Sequence, residues 1–290
     1  MHEVHAKGIV GQSGVVNFYR GCQHGCIYCD SRSTCYNMQH DFEDIEVKVN
    51  APELLEDALC RRRKKSMLFT GAMCDPYMPL EKELCLTQRC LEIIEKHGFG
   101  VSVHTKSDLV LRDADIIKRI NDRSKAVVMM TLTTFDEDLC RIIEPNVAAT
   151  RRRFEVLCKF KKLGVPTVVW ISPILPFIND TEENLTGVLG YCKDAGVKAI
   201  ICPGIGVTLR DGDRQYFYKK LDLHFPGLKE KYIKTYGNSY EVASPNGEKL
   251  AAILHDFCRK NGIIDTWNEA WDFVRSYPSC ESEQLSLFDM

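Results

Sequence analysis

No stretch of this chain is long and apolar enough to cross a bilayer as a helix, since none approaches the roughly 18 consecutive apolar residues that a span requires. The first residues, Met-His-Glu-Val-His-Ala-Lys, lack the charged-then-apolar pattern of a secretory leader. An excess of one charge is lacking too: 38 Lys and Arg stand against 40 Asp and Glu, for a net charge of -2. That balance excludes a uniformly basic nucleic-acid sleeve, though not a local basic groove. There is no internal repeat, which excludes a stacked-repeat solenoid. These absences predict a cytoplasmic globular protein with no membrane partner. Its 290 residues, 44% of them apolar, suffice for one large domain or two small ones with a real core.

Cysteine, by contrast, is plentiful: there are 14. Most sit singly in apolar patterns, as Cys90, Cys158 and Cys192 do, and read as reduced core residues rather than disulfide partners. Three are different. Cys22, Cys26 and Cys29 lie in the run Tyr19-Arg-Gly-Cys-Gln-His-Gly-Cys-Ile-Tyr-Cys-Asp30, at C-x3-C-x2-C spacing. Three thiolates on one tight loop fall one short of the four ligands that a closed zinc site or iron-sulfur cluster takes, so one metal corner stays open for chemistry. Gly21 and Gly25 relieve the backbone where the sulfurs converge. The alternative is a zinc loop completed by His24, Cys35 or a distant ligand.

Short β-branched runs alternate with amphipathic stretches along the first two thirds of the chain, the mark of repeated β/α units on a parallel sheet. Six strands are predicted, at Val15–Tyr19, Met67–Gly71, Gly100–Thr105, Ala126–Thr131, Pro166–Ser172 and Lys198–Cys202. Between them, Phe154, Leu157 and Cys158 share one helical face and Leu185, Val188, Leu189 and Cys192 another. Six units predict an α/β fold: a partial (β/α)6 barrel over residues 1–205, cluster loop at 20–30, with its site at the carboxyl ends of the strands. Past residue 205 the alternation stops, which predicts a helical C-terminal subdomain over 206–278 and a flexible acidic tail over 279–290.

The cysteine loop, with Tyr28 before its third cysteine, resembles that of the radical S-adenosylmethionine (radical SAM) enzymes. The segments Asp75–Glu81, Thr105–Arg112, Glu144-Pro-Asn146 and Ser172–Asp180 resemble the spore photoproduct lyase, or DNA repair photolyase-like, subgroup over roughly residues 8–265. The resemblance implies a [4Fe-4S] cluster on Cys22, Cys26 and Cys29 whose open iron holds S-adenosyl-L-methionine. It further implies one-electron cleavage of that cofactor to a 5'-deoxyadenosyl radical, hydrogen abstraction from the substrate, and an electron donor such as flavodoxin or ferredoxin. By position in the family, Tyr28, Gly71, Ala72, Lys106, Thr131, Thr133, Pro173 and Ile174 bind the cofactor: Lys106 its carboxylate, the threonines the ribose, Pro173 and Ile174 the adenine. Cys74, Asp75 and Tyr77 are the catalytic candidates. The lyase carries its hydrogen-donor cysteine where this chain has Ala72, with Cys74 two residues on, and a tyrosine where this chain has Asp30.

Two basic runs, Arg61–Lys65 and Arg151–Arg153, read as solvated helix faces away from the site. Within the tail, Gln284, Leu285, Leu287 and Phe288 resemble the short peptide with which bacterial repair proteins dock on the DNA sliding clamp. The expectation is thus a radical SAM iron-sulfur enzyme acting on DNA, a lyase-like repair or modification. Its rivals act on RNA, a peptide or a small metabolite, or are a non-catalytic iron-sulfur or zinc scaffold.

Overall fold

A computed structural model describes residues 1–278. Near the N-terminus β1 (His2–Val4), β2 (Tyr19–Arg20) and β3 (Glu46–Lys48) form a small sheet in the order β1-β3-β2. The main sheet follows. Helix α1 (Ala51–Cys60) leads into β4 (Met67–Thr70), α2 (Glu81–Leu84) and α3 (Leu86–Lys96) into β5 (Gly100–Thr105), and α4 (Ala114–Arg123) into β6 (Ala126–Thr131). Then α5 (Glu137–Ile143) and α6 (Thr150–Lys162) precede β7 (Thr167–Trp170), and α7 (Glu182–Ala195) precedes β8 (Ala199–Ile201). All neighbouring pairs from β4 to β8 are parallel and in chain order.

Five of the six predicted strands are present. The first is not a strand of this sheet: Val15 makes one parallel bridge to Phe69 at the free edge of β4, while Tyr19 pairs with Val47 in the small sheet. The segment is divided between two sheets, so alternation alone could not assign it. The central strand β6, Ala-Val-Val-Met-Met-Thr, is buried throughout, as a strand covered on both faces must be. One face, with Val103, Val128 and Val169, packs on the helices through Leu55, Leu91, Ile117, Leu157 and Leu189. The other, with Met67, Val127, Met129 and Val168, takes Ala270 and Val274.

Residues 206–278 hold α8 (Asp213–His224), α9 (Leu228–Tyr236), α10 (Gly247–Asn261) and α11 (Trp267–Arg275). They also contain an antiparallel pair, β9 (Gly206–Thr208) with β10 (Glu241–Ala243), whose three-residue runs are too short to show periodicity. Leu250, Leu254 and Cys258 of α10 join the same apolar cluster as the barrel helices, and α11 supplies the Ala270 and Val274 that cover the inner face. No helix among the described residues is long and apolar enough to cross a membrane. All 13 described cysteines are free thiols.

Candidate active site

The segments after β4, β5, β7 and β8 border one cavity of about 890 Å3, and Cys22, Cys26 and Cys29 line it as well. The cysteine loop owes its shape to glycine at one point in particular. Gly21 has φ +88°, and a Cβ there would lie 2.5 Å from the Phe42 carbonyl oxygen. The loop is clamped from behind by residues 143–146. Ile27 N donates to Ile143 O (3.0 Å), Asn146 N to His24 O (3.1 Å) and Asn146 Nδ2 to Gln23 O (2.8 Å). Tyr28 donates its hydroxyl to Glu144, and Glu144 pairs with Arg153 where both side chains are fully buried. Burial alone would raise the Glu144 pKa, but the Arg153 and Lys106 charges outweigh it and hold the carboxyl below its ordinary value.

The donor set fits a cluster better than a single ion. Among the described residues, one group of His, Cys, Asp and Glu side chains has all its ligand atoms within 4.8 Å of one another: His2, His40 and Asp44, on the small sheet. The three loop sulfurs are spread more widely than that, whereas one zinc ion at about 2.3 Å from each would hold them roughly 4 Å apart. Burial, with the Asp75 charge adding, pushes the Cys22 thiol up to about 12. Burial also raises Cys26 and Cys29, with Lys106 opposing in both. Ligation therefore releases protons here, and the positive Lys106 beside the sulfurs favours that release.

Asp75 ties the loops together. Its Oδ1 accepts from Thr105 Oγ1 (2.7 Å) and Tyr77 N (2.8 Å), its Oδ2 from Lys106 N (2.7 Å), and His24 Nε2 lies 3.0 Å from Oδ2. Burial opposes its charge, but His24 and these donors hold the carboxyl well below the usual range. These contacts let Asp75 tie the segments after β4 and β5 to the cysteine loop, at the border of the cavity. Gly71, at φ +89°, closes against β5 where a Cβ would sit 2.1 Å from His104 O. Cys74 borders the cavity with its Sγ donating to Tyr19 O (3.0 Å), and burial raises its pKa so that it stays a thiol.

The cavity gathers Tyr28, Gly71, Ala72, Cys74, Asp75, Lys106 and Pro173 with the three cysteines, but four predicted residues lie outside its lining. Tyr77 is fully buried with its hydroxyl on Asp113 Oδ2 (3.0 Å). Thr131 Oγ1 meets His104 Nε2 at 2.9 Å. Thr133 is buried and gives its carbonyl to Asn179 and Asn184. Ile174 packs in the core. Arg61–Lys65 joins α1 to the start of β4, at the end of the sheet opposite the site, as expected. Arg153 departs from expectation, being fully buried instead of solvated. Helical spacing places it on one face with Leu157 and Phe160, a signal the charge run obscured.

Two further features have no role assigned from the sequence. His104 borders the cavity, and burial followed by the Lys106 charge lowers its pKa to about 3, so it is a neutral ring. It tilts against Trp170 at 5.5 Å, and Trp170 in turn meets Trp267 and Trp271 of α11 edge-on at 6.5 and 6.3 Å. All three tryptophans of the chain thus form one aromatic cluster, with Trp170 and Trp271 on the cavity and Trp267 half exposed. Arg275 lies over Trp271 at 4.7 Å, also on the cavity. The spacing Trp267, Ala270, Trp271, Val274, Arg275 was legible as a helical face; its target was not.

The radical SAM superfamily model matches residues 16–188, more than half of the chain and all of the cysteine loop. The chain belongs to the radical SAM superfamily. Its relatives include an uncharacterized protein of Methanocaldococcus jannaschii, 35% identical over 60% of this chain and 65% of that one. Another is an uncharacterized protein of Mycobacterium tuberculosis, 28% identical over 76% and 66%. In both cases the match spans just under two thirds of the relative's length. Among solved structures, a spore photoproduct lyase variant with AdoMet and a dinucleoside spore photoproduct bound superposes with a TM-score of 0.61. It shares 15% identity over 86% of this chain and 74% of the lyase, so the likeness is one of fold. The superfamily's cofactors are the [4Fe-4S] cluster and S-adenosyl-L-methionine, and Cys22, Cys26 and Cys29 are the residues of this radical SAM protein that suit the cluster.

Proposed function

We propose that this radical SAM enzyme takes its hydrogen atom from a nucleotide unit of DNA, in a lyase-like repair or modification reaction. The observation that carries the reading is the aromatic part of the cavity lining: Trp170 and Trp271 with Arg275, on the same space as the three cysteines. Stacking on such rings is worth about 1–3 kcal/mol per base and suits any base. Arg275 has no carboxylate partner among the described residues and offers a planar cation to a phosphate. The cavity, at about 890 Å3, lies near the top of the roughly 300–1,000 Å3 range of small-ligand sites and has room for a cofactor and a substrate unit. The fold likeness to a lyase solved with a dinucleoside photoproduct supports the same reading.

When bound, the cluster supplies the electron that cleaves S-adenosyl-L-methionine and so starts the hydrogen abstraction. Lys106 offers its ammonium to the cofactor carboxylate, and neutral His104 and Pro173 border the same space. Cys74, kept as a thiol by burial, offers its hydrogen atom to the product radical, and the thiyl radical left behind returns to the thiol by taking one electron from the external donor and one proton. A flavodoxin or ferredoxin is the proposed electron donor.

The test is anaerobic reconstitution with iron and sulfide, then S-adenosyl-L-methionine, dithionite and an oligodeoxynucleotide deuterated in its bases and sugars. Deuterium in 5'-deoxyadenosine is expected. Deuterium transfer from RNA, a peptide or a metabolite instead would overturn the DNA assignment while leaving the enzyme class intact. No 5'-deoxyadenosine at all would favour a scaffold.

A further inference from the structure

We propose that His2, His40 and Asp44 form a second metal centre, for a zinc-class divalent cation, separate from the cysteine loop. Topology brings them together. β1 runs parallel to β3 with His2 opposite Glu46, and the segment leading into β3 carries His40 and Asp44 to the same edge. All three side chains are half-buried, and their ligand atoms lie within 4.8 Å of one another. A cation about 2.0–2.2 Å from each ligand needs separations of roughly 3.3–4.3 Å, so side-chain shifts of about an ångström close the set.

The placement of the two rings suits a cation. His40 Nδ1 lies 3.0 Å from the Asp41 carbonyl oxygen, which only accepts, so Nδ1 carries the proton. Its Nε2 is buried with no hydrogen-bond partner among the described residues, and the nearest acid, Glu46 Oε2, is 3.6 Å away. A buried ring nitrogen without a partner is one that a cation can satisfy. His2 Nδ1 lies 2.9 Å from Asp44 Oδ2 and the Met1 ammonium 2.9 Å from Asp44 Oδ1, so a cation bound by Asp44 displaces one of these contacts; the His2 ring meets His40 edge-on at 4.6 Å. Two imidazoles and a carboxylate are a donor set for zinc and its neighbours rather than for calcium or magnesium. The site backs onto the cluster loop: Phe42 O, between His40 and Asp44, accepts from Cys22 N at 3.3 Å and is the atom that Gly21 is built to clear. A cation there fastens β1 and the strand-entry segment behind the first cluster cysteine.

The proposal does not depend on the substrate. The experiment uses untagged, cluster-loaded protein, dialysed against chelator and titrated with zinc and separately with cobalt(II). One equivalent is expected to bind at micromolar affinity or tighter, with a visible cobalt spectrum free of sulfur-to-metal charge transfer and a rise in thermal midpoint. His2→Ala and His40→Ala should each weaken binding at least 30-fold, while His97→Ala, on a histidine paired with Glu56, should leave it unchanged. The triple variant Cys22→Ser/Cys26→Ser/Cys29→Ser should still bind one equivalent, which keeps the outcome separate from cluster loading. No binding beyond the cluster in wild type, sulfur-ligated cobalt, or full binding in both histidine variants would overturn it.

Discussion

Replacing Arg153 by methionine tests whether a buried charge holds the cysteine loop in place. The guanidinium donates Nε to Ala148 O (2.7 Å) and Nη1 to Thr131 O (2.7 Å), and Nη2 pairs with Glu144. Methionine fills much of the volume but leaves the Glu144 carboxylate buried without its cation and two carbonyls without donors. Breaking one side of such a pair costs about 3–5 kcal/mol. For a chain of this length that lowers the thermal midpoint by on the order of 10 °C. The loss should be local as well as global, because Glu144 holds Tyr28 and its neighbours Ile143 and Asn146 hold Ile27 and His24. Iron retained after anaerobic reconstitution should fall with the midpoint. Glu144→Gln removes the other charge, so the double variant should be less damaged than the two single costs added, by about 1–3 kcal/mol. The assays are anaerobic denaturation and iron content. A midpoint shift under about 2 °C for Arg153→Met, or strict additivity in the double variant, would refute the reasoning.

Acid should weaken the same region. Asp75 and Glu144 both have folded pKa values below their unfolded ones, so the stability they contribute is present above about pH 4 and is lost as pH falls through the carboxyl range; Glu144→Gln should show a shallower slope in melts between pH 6 and 3. Cys74→Ala should leave 5'-deoxyadenosine formation intact and redirect the substrate radical to side products, and an unchanged product distribution would remove Cys74 as hydrogen donor. Gln284–Phe288 lies outside the described residues; as a clamp ligand, its two apolar anchors contribute about 1.5–3 kcal/mol each before ordering costs. A peptide of residues 279–290 should then bind the sliding clamp in the micromolar range, and Leu287→Ala with Phe288→Ala should abolish binding without altering the cluster.

Local chemistry was legible from the chain alone. Cysteine spacing is a property of one short loop, and β-branched runs alternating with amphipathic helices specify parallel β/α units because backbone periodicity is a short-range signal. That is why five strands, the cysteine loop and the Asp75 and Lys106 segments are legible in the sequence. Whatever depended on two distant segments meeting could not be placed. Val15 and Tyr19 went to different sheets because their pairing partners, Phe69 and Val47, lie far along the chain. Arg153 reads as surface charge in the sequence, and only Glu144 and two carbonyls compensate its burial in the fold. Trp170 and Trp271 meet at the cavity lining, and His2 and His40 become neighbours, only through tertiary packing, since contacts across 38 or 101 residues leave no periodic trace in the sequence between them.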